Sequence, residues 1–199
     1  MPALTIMIPA AGCSSRMRGG DKLLEIVDGQ PLLARQASIA LSTGCPVIVT
    51  LRQDDPRAVA IHHLALTIVT VPDAASGLSA SLRAAARTIT SALLILPADM
   101  PDLTEADLKT MITAFALAPD TIHRGTSATG QPGHPVVLPA RYLTEIEQLS
   151  GDEGARSLLM RHGASLVALP GDHAMTDLDT PEDWAAWRAR HAASSTRAS

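Results

Sequence analysis

The sequence predicts an α/β fold: a doubly wound, mainly parallel sheet with helices on both faces and one short antiparallel strand. Three observations lead there. Continuous apolar runs such as Leu4-Thr5-Ile6-Met7-Ile8 have the character of strands buried on both sides. Segments of helical spacing separate them, and Leu78, Leu82, Ala85 and Ile89 form one such stripe. Regular strand–helix alternation then calls for crossover connections, which make neighbouring strands parallel.

In chain order, strands are expected at 4–8, 47–51, 67–71, 92–96, 121–123, 135–138 and 165–169. Helices are expected at 32–41, 57–64, 78–89, 105–117, 141–149, 154–161 and 181–190. The helix from 105 opens on Thr104, whose Thr-x-x-Asp pattern is a capping signature. The helix from 181 opens on Thr180, Pro181, Glu182 and Asp183: a cap, a first-turn proline and two acids that suit the dipole. Residues 125–139 are rich in Gly, Ser, Thr and Pro and read as a mobile loop over a crevice, leading into the antiparallel strand. Residues 1–191 are expected to form one domain and 192–199 a frayed tail.

Of the 199 residues, 46% are hydrophobic but only 2% aromatic, so the core must be aliphatic. A net charge of −4, without a basic run interleaved with aromatics, argues against a nucleic-acid surface. No apolar run reaches the length of a membrane span, and no secretory signal opens the chain. Cys13 and Cys45 lie in different segments and form neither a disulfide framework nor a zinc pattern. The expectation is a reduced, cytoplasmic enzyme with neither nucleic acid nor membrane as partner.

The segment after the first strand carries the chemistry. Pro9, Ala10, Ala11, Gly12 and Ser14 are small or compact, and Arg16 and Lys22 follow. Small residues let backbone N–H groups approach a polyphosphate, and the cations neutralise it. The spacing matches neither a Walker loop nor a dinucleotide fingerprint. In an open parallel sheet, ligands bind beyond the carboxyl ends of the strands, which is where this loop falls.

Asp99 follows the strand at 92–96, between Pro97 and Pro101. A carboxylate there, facing a polyphosphate loop, suits Mg²⁺, which takes one or two carboxylates plus phosphate oxygens and water. Mn²⁺ is the alternative ion. Asp179 stands as a second metal ligand if its strand ends beside Asp99. Pro72, Gly77, Ser79 and Ser81 join a strand to a helix and read either as turn and caps or as a shelf for nucleobase or ribose. His134 and Arg156 are placed on the acceptor side, Arg156 as a holder of an acceptor phosphate. Asp152 reads as a cap.

These segments resemble the MobA-like nucleotidyltransferases. The matching residues are Ala10-Ala11-Gly12-x-Ser14-x-Arg16-Met17 with Lys22-Leu23-Leu24, then Gly77-Leu78-Ser79-x-Ser81-Leu82-Arg83 and Ala98-Asp99-x-Pro101. Further on come Gly133-His134-Pro135, Gly151-Asp152-x-Gly154-Ala155-Arg156 and Asp179-Thr180-Pro181-Glu182-Asp183. Within the family the chain is most similar to the molybdenum cofactor cytidylyltransferases. Pro9, Arg18 and Val71 depart from the usual leucine, glycine and asparagine. The resemblance implies a Rossmann-like fold and transfer of CMP from CTP to a molybdopterin-type acceptor, with Mg²⁺ as cofactor and pyrophosphate released. Arg16, Lys22 and Asp99 would be the catalytic residues, and a molybdoenzyme or its chaperone would take the product. Two alternatives stay open: guanylyl or cytidylyl transfer to a sugar or polyol phosphate, and a non-catalytic carrier of the molybdenum cofactor.

Overall fold

The computed structural model describes residues 3–151 and 154–197. Its strands are β1 (Leu4–Pro9), β2 (Ile26–Val27), β3 (Gln30–Pro31), β4 (Val47–Leu51), β5 (Thr67–Thr70), β6 (Ala92–Ile95), β7 (His123–Thr126), β8 (Pro132–Leu138) and β9 (Ser165–Ala168). Its helices are α1 (Leu32–Ser42), α2 (Ala58–Ile61), α3 (Leu78–Ala86), α4 (Glu105–Leu117), α5 (Leu143–Ile146), α6 (Arg156–His162) and α7 (Pro181–Arg197).

Seven strands form one sheet in the order β5-β4-β1-β6-β8-β7-β9. All pairings within it are parallel except those of β8, which runs antiparallel to β6 and β7. The expected doubly wound sheet with one antiparallel strand is therefore present. Alternate side chains explain why the strand sequences are apolar throughout. Ile6, Ile8, Val49 and Leu94 face a core closed by Leu33, Ala37, Leu108 and Met111 of α1 and α4. Met7, Ile48, Leu93 and Ile95 face the opposite core, closed by Leu82, Ala85, Ile146 and Leu158 of α3, α5 and α6. Each fully buried leucine or isoleucine contributes about 1.5–3 kcal/mol.

The chain winds from β1 through β4 to β5 on one side, then crosses to β6 on the other side of β1. The crevice at this switch point lies beyond the ends of β1 and β6. Both anticipated caps form. Thr104 Oγ1 accepts from Asp107 N–H at 3.3 Å while Thr104 N–H donates to the Asp107 carboxylate at 2.8 Å. Thr180 and Asp183 repeat this box at α7, at 3.2 and 2.9 Å.

Several expectations need correction. Residues 125–139 are mostly a hairpin, not a loop, because tertiary pairing overrides the poor strand propensity of His123-Arg124-Gly125-Thr126. Its glycines serve close packing: a Cβ on Gly125 would lie 2.5 Å from the His134 carbonyl oxygen, and one on Gly133 1.9 Å from that of Ala174. The helices expected at 57–64, 78–89 and 141–149 shorten to α2, α3 and α5, the last entered by a 3₁₀ turn at Ala140–Tyr142. Helix α7 continues to Arg197, through most of the expected tail, whose last two residues lie outside the described ones. The β2–β3 hairpin was not anticipated, although Asp28-Gly29 is a strong hairpin dipeptide and both residues adopt positive φ, 51° and 82°.

Candidate nucleotide site

The loop at 10–22 is built around a residue far along the chain. Arg57 is only 1% exposed, and all five of its guanidinium N–H groups find oxygen. Nη1 donates to the carbonyls of Ala10 at 2.5 Å and Gly12 at 2.7 Å. Nη2 donates to Ser14 Oγ at 3.0 Å and Asp21 Oδ1 at 2.9 Å, and Nε to Asp21 Oδ2 at 2.7 Å. Two carbonyls are thus turned toward Arg57. The N–H groups of the same trans peptides, on Ala11 and Cys13, point the opposite way. Burial raises the pKa of Asp21, but the Arg57 hydrogen bond, with backbone and Ser14 donors, outweighs it and holds it below the usual aspartate value.

A second cluster joins the loop to the strand ends. Lys22 Nζ lies 2.5 Å from Asp99 Oδ2 and 2.6 Å from Asp179 Oδ1. Arg16 Nη1 lies 2.7 Å from Asp179 Oδ2. Asp179 is delivered there by backbone: Leu178 N–H donates to the Asp99 carbonyl at 3.0 Å. Burial pulls the Lys22 pKa down, but the two carboxylates outweigh it, so its ammonium is held above the usual lysine value. The four residues that the sequence offered for charge and metal chemistry therefore meet at one place.

Arg16, Lys22 and Asp99 of this cluster border a cavity of about 560 Å³, within the size range of small-ligand sites. Pro9, Ala10, Gly12, Cys13, Arg16 and Lys22 line one side, with Leu78 and Ser81 of α3 beside them. Arg124, Gly133 and His134, from β7 and β8 beyond β6, line it too, and Met175, Asp99 and Asp177 also reach the cavity. Burial, then the Arg124 charge, lowers the His134 pKa, and Asp99 opposes them only in part. Burial also raises that of Asp177, aided by Asp179 and Asp99.

Other expected nucleotide contacts fall elsewhere. Ser14 is spent inside the loop, donating to Asp21 Oδ1 at 3.0 Å and accepting from Arg57. The Ala11 methyl packs with Val71 and Ala80, away from the cavity. Pro72, Gly77 and Ser79 do not line it, and Ser79 is fully buried. Arg156 is exposed at the start of α6, outside the cavity, and Asp152 lies outside the described residues. Sequence reading missed Arg57, Asp21 and Arg124. No local pattern marks them, because their roles depend on pairings made across the fold.

Comparison with known proteins identifies the family. The model of the MobA-like NTP transferase domain matches residues 6–167. The chain belongs to this family. It is 30% identical to a molybdenum cofactor guanylyltransferase of Pseudomonas paraeruginosa over 189 residues, 92% of this chain and 93% of the relative. It is 26% identical to the molybdenum cofactor cytidylyltransferase of Escherichia coli over 197 residues, 96% and 98% of the two chains. Among solved structures, Rv0371c of Mycobacterium tuberculosis superposes with a TM-score of 0.80 at 26% identity, covering 94% of this chain and 97% of that one. A manganese complex of Rv0371c matches at TM-score 0.75 and 25% identity, covering 92% and 96%. The family is one of nucleotidyltransferases. Among the described residues, no helix is long and apolar enough to cross a membrane.

Proposed function

We propose that this protein transfers a nucleotidyl group from a nucleoside triphosphate to the phosphate of a molybdopterin-type acceptor and releases pyrophosphate. The observation that carries this reading is the joining of Arg16, Lys22, Asp99 and Asp179 into one charged cluster, at 2.5–2.7 Å, beside a loop of small residues. The named relatives, both acting on molybdenum cofactor, support the acceptor class.

The chain's own residues supply position and charge. Amides of the loop, held outward by Arg57, cradle the leaving phosphates, and Arg16 and Lys22 offset the charge that grows on pyrophosphate. A divalent ion fits the donor set. Two carboxylates converge on a single ammonium, so a cation already stands between them, and their hard oxygens suit Mg²⁺ or Mn²⁺. Asp99 and Asp179 would hold the ion, which when bound neutralises phosphate charge and polarises the α-phosphoryl group.

For the donor base we propose CTP, supported by the resemblance of Ala10-Ala11-Gly12 to the cytidylyl form of the loop. GTP is the second reading, favoured by the 30% identity to a guanylyltransferase. Because the Ala11 methyl packs inward, it would act on base choice only by placing the backbone. Pyrophosphate release, measured for all four triphosphates with reduced and metallated molybdopterin, tests both points. No release with any pair would overturn the enzymatic reading in favour of a carrier. A higher kcat/KM with GTP would reverse the base.

A further inference from the structure

Three cations line the cavity: Arg16, Lys22 and Arg124. The first two already face carboxylates. Among the described residues, Arg124 pairs with none. Its Nε donates to the Gly133 carbonyl at 2.9 Å and its Nη2 to that of Pro132 at 3.3 Å. These bonds tie the fork to β8 and leave Nη1 without a partner among the described residues. Arg124, on β7, is separated by β6 and β8 from β1 and the loop that follows it, and among the described residues it is pre-oriented and without a counter-ion. His134 lies beside it and is biased toward its neutral form by burial and by the Arg124 charge.

We propose that Arg124 anchors the acceptor's phosphate, a phosphomonoester dianion, in a subsite separate from that of the triphosphate. The inference rests on the nucleotidyl-transfer reading and refines it. The free guanidinium edge holds the oxygens of the acceptor phosphate that do not react. A third oxygen attacks the α-phosphorus and forms the new P–O bond. The bond from the α-phosphorus to its bridging oxygen breaks, and its electron pair leaves with pyrophosphate. Arg124 positions the nucleophile and exchanges no proton.

The test is calorimetric. The protein is first saturated with a non-hydrolysable triphosphate analogue and Mg²⁺, so that Arg16 and Lys22 are occupied. Inorganic phosphate is then titrated in as the probe. Wild type should bind it. Arg124→Gln should weaken that binding about tenfold or more, and Arg124→Lys should fall between, since it keeps the charge but loses the fork. Analogue affinity should stay within about twofold in both variants, a loss smaller than that of one charged hydrogen bond. Absence of phosphate binding to the saturated wild type, or equal binding by Arg124→Gln, would overturn the proposal. Should Arg124→Gln melt early, wild type and Arg124→Lys decide. Failure of the analogue itself to bind would instead count against nucleotidyl transfer, and phosphate titrated alone onto wild type and Arg124→Lys would then judge the anion site.

Discussion

Arg57 grips Asp21 with two hydrogen bonds, Nε to Oδ2 at 2.7 Å and Nη2 to Oδ1 at 2.9 Å, across 36 residues of sequence. The same guanidinium reaches Ala10, Gly12 and Ser14, so one buried side chain ties together the loop at 10–22.

Arg57→Lys should therefore separate loop geometry from charge. Lysine keeps the cation but offers three donors in place of a five-donor fork. We expect kcat/KM for nucleotide to fall about 10²-fold, the scale of a misplacement of about 1 Å. Arg57→Gln, which leaves Asp21 without its partner, should also lose about 3 kcal/mol of stability. Steady-state kinetics alongside chemical denaturation check both; unchanged kinetics in Arg57→Lys would make Arg57 a purely structural residue.

Asp99→Asn should reduce turnover by at least about 10²–10³, as loss of one preorganised electrostatic group does. It should also remove the extra thermal stabilisation that Mg²⁺ gives to the triphosphate complex. Turnover near wild type at millimolar Mg²⁺ would show that Asp99 holds no metal.

Two glycines should behave oppositely when changed to alanine. A Cβ on Gly133 would strike the Ala174 carbonyl oxygen at 1.9 Å and Met175 Sδ at 2.7 Å, so we expect a loss of about 1–3 kcal/mol from overpacking. For a chain of this size that lowers Tm by roughly 2–4 °C per kcal/mol. A Cβ on Gly12 would meet nothing within 4 Å, and Gly12 has no left-handed φ. Gly12→Ala should leave stability within about 0.5 kcal/mol yet weaken triphosphate binding, because only a ligand uses that space. Thermal melts with and without nucleotide read both effects.

His134 gives a pH signature. Its pKa in the folded chain lies below the ordinary 6.5, so the folded state binds fewer protons there than the unfolded state. Its contribution to stability is whole above pH 6.5 and is lost as pH falls through the folded value. His134→Gln should therefore lose less stability than wild type between pH 7 and acidic pH. Parallel stability curves for the two proteins would show that His134 carries no such penalty.

Much of this site was legible in the sequence, and the reason is local. Arg16, Lys22 and Asp99 lie on or just after turns that follow apolar runs, and the alternation of the chain puts those turns at one end of the sheet. Asp179 could be suspected because Thr180 and Asp183 explained their own neighbourhood and left it over. The hairpin of β7 and β8 was legible only in part: the antiparallel strand near 135–138 was expected, but the glycines and polar residues before it look like a loop until Gly125 and Gly133 meet other backbones. Arg57 was equally hidden. It reads as an ordinary helix residue, and its partners lie 36 to 47 positions away. Arg18, which departs from the family's glycine, adopts the left-handed φ of 52° that a glycine would favour and pairs with Glu182 of α7 at 2.8 Å.

The small cluster behind the loop has an optical consequence. Met17, just beyond Arg16, packs with Val27, Leu32 and Leu178 against Trp184 and Trp187 on α7. Those are the only two tryptophans in the chain. Their rings stand edge to face, with centroids 5.9 Å apart, and the Trp187 indole donates to Asp102 at 2.7 Å. All tryptophan emission of this protein therefore arises from a cluster that holds Met17, the neighbour of Arg16, the cation proposed to meet the triphosphate. On the proposed reading, nucleotide binding at the loop should change this emission, so the protein's own fluorescence would report it with no label attached.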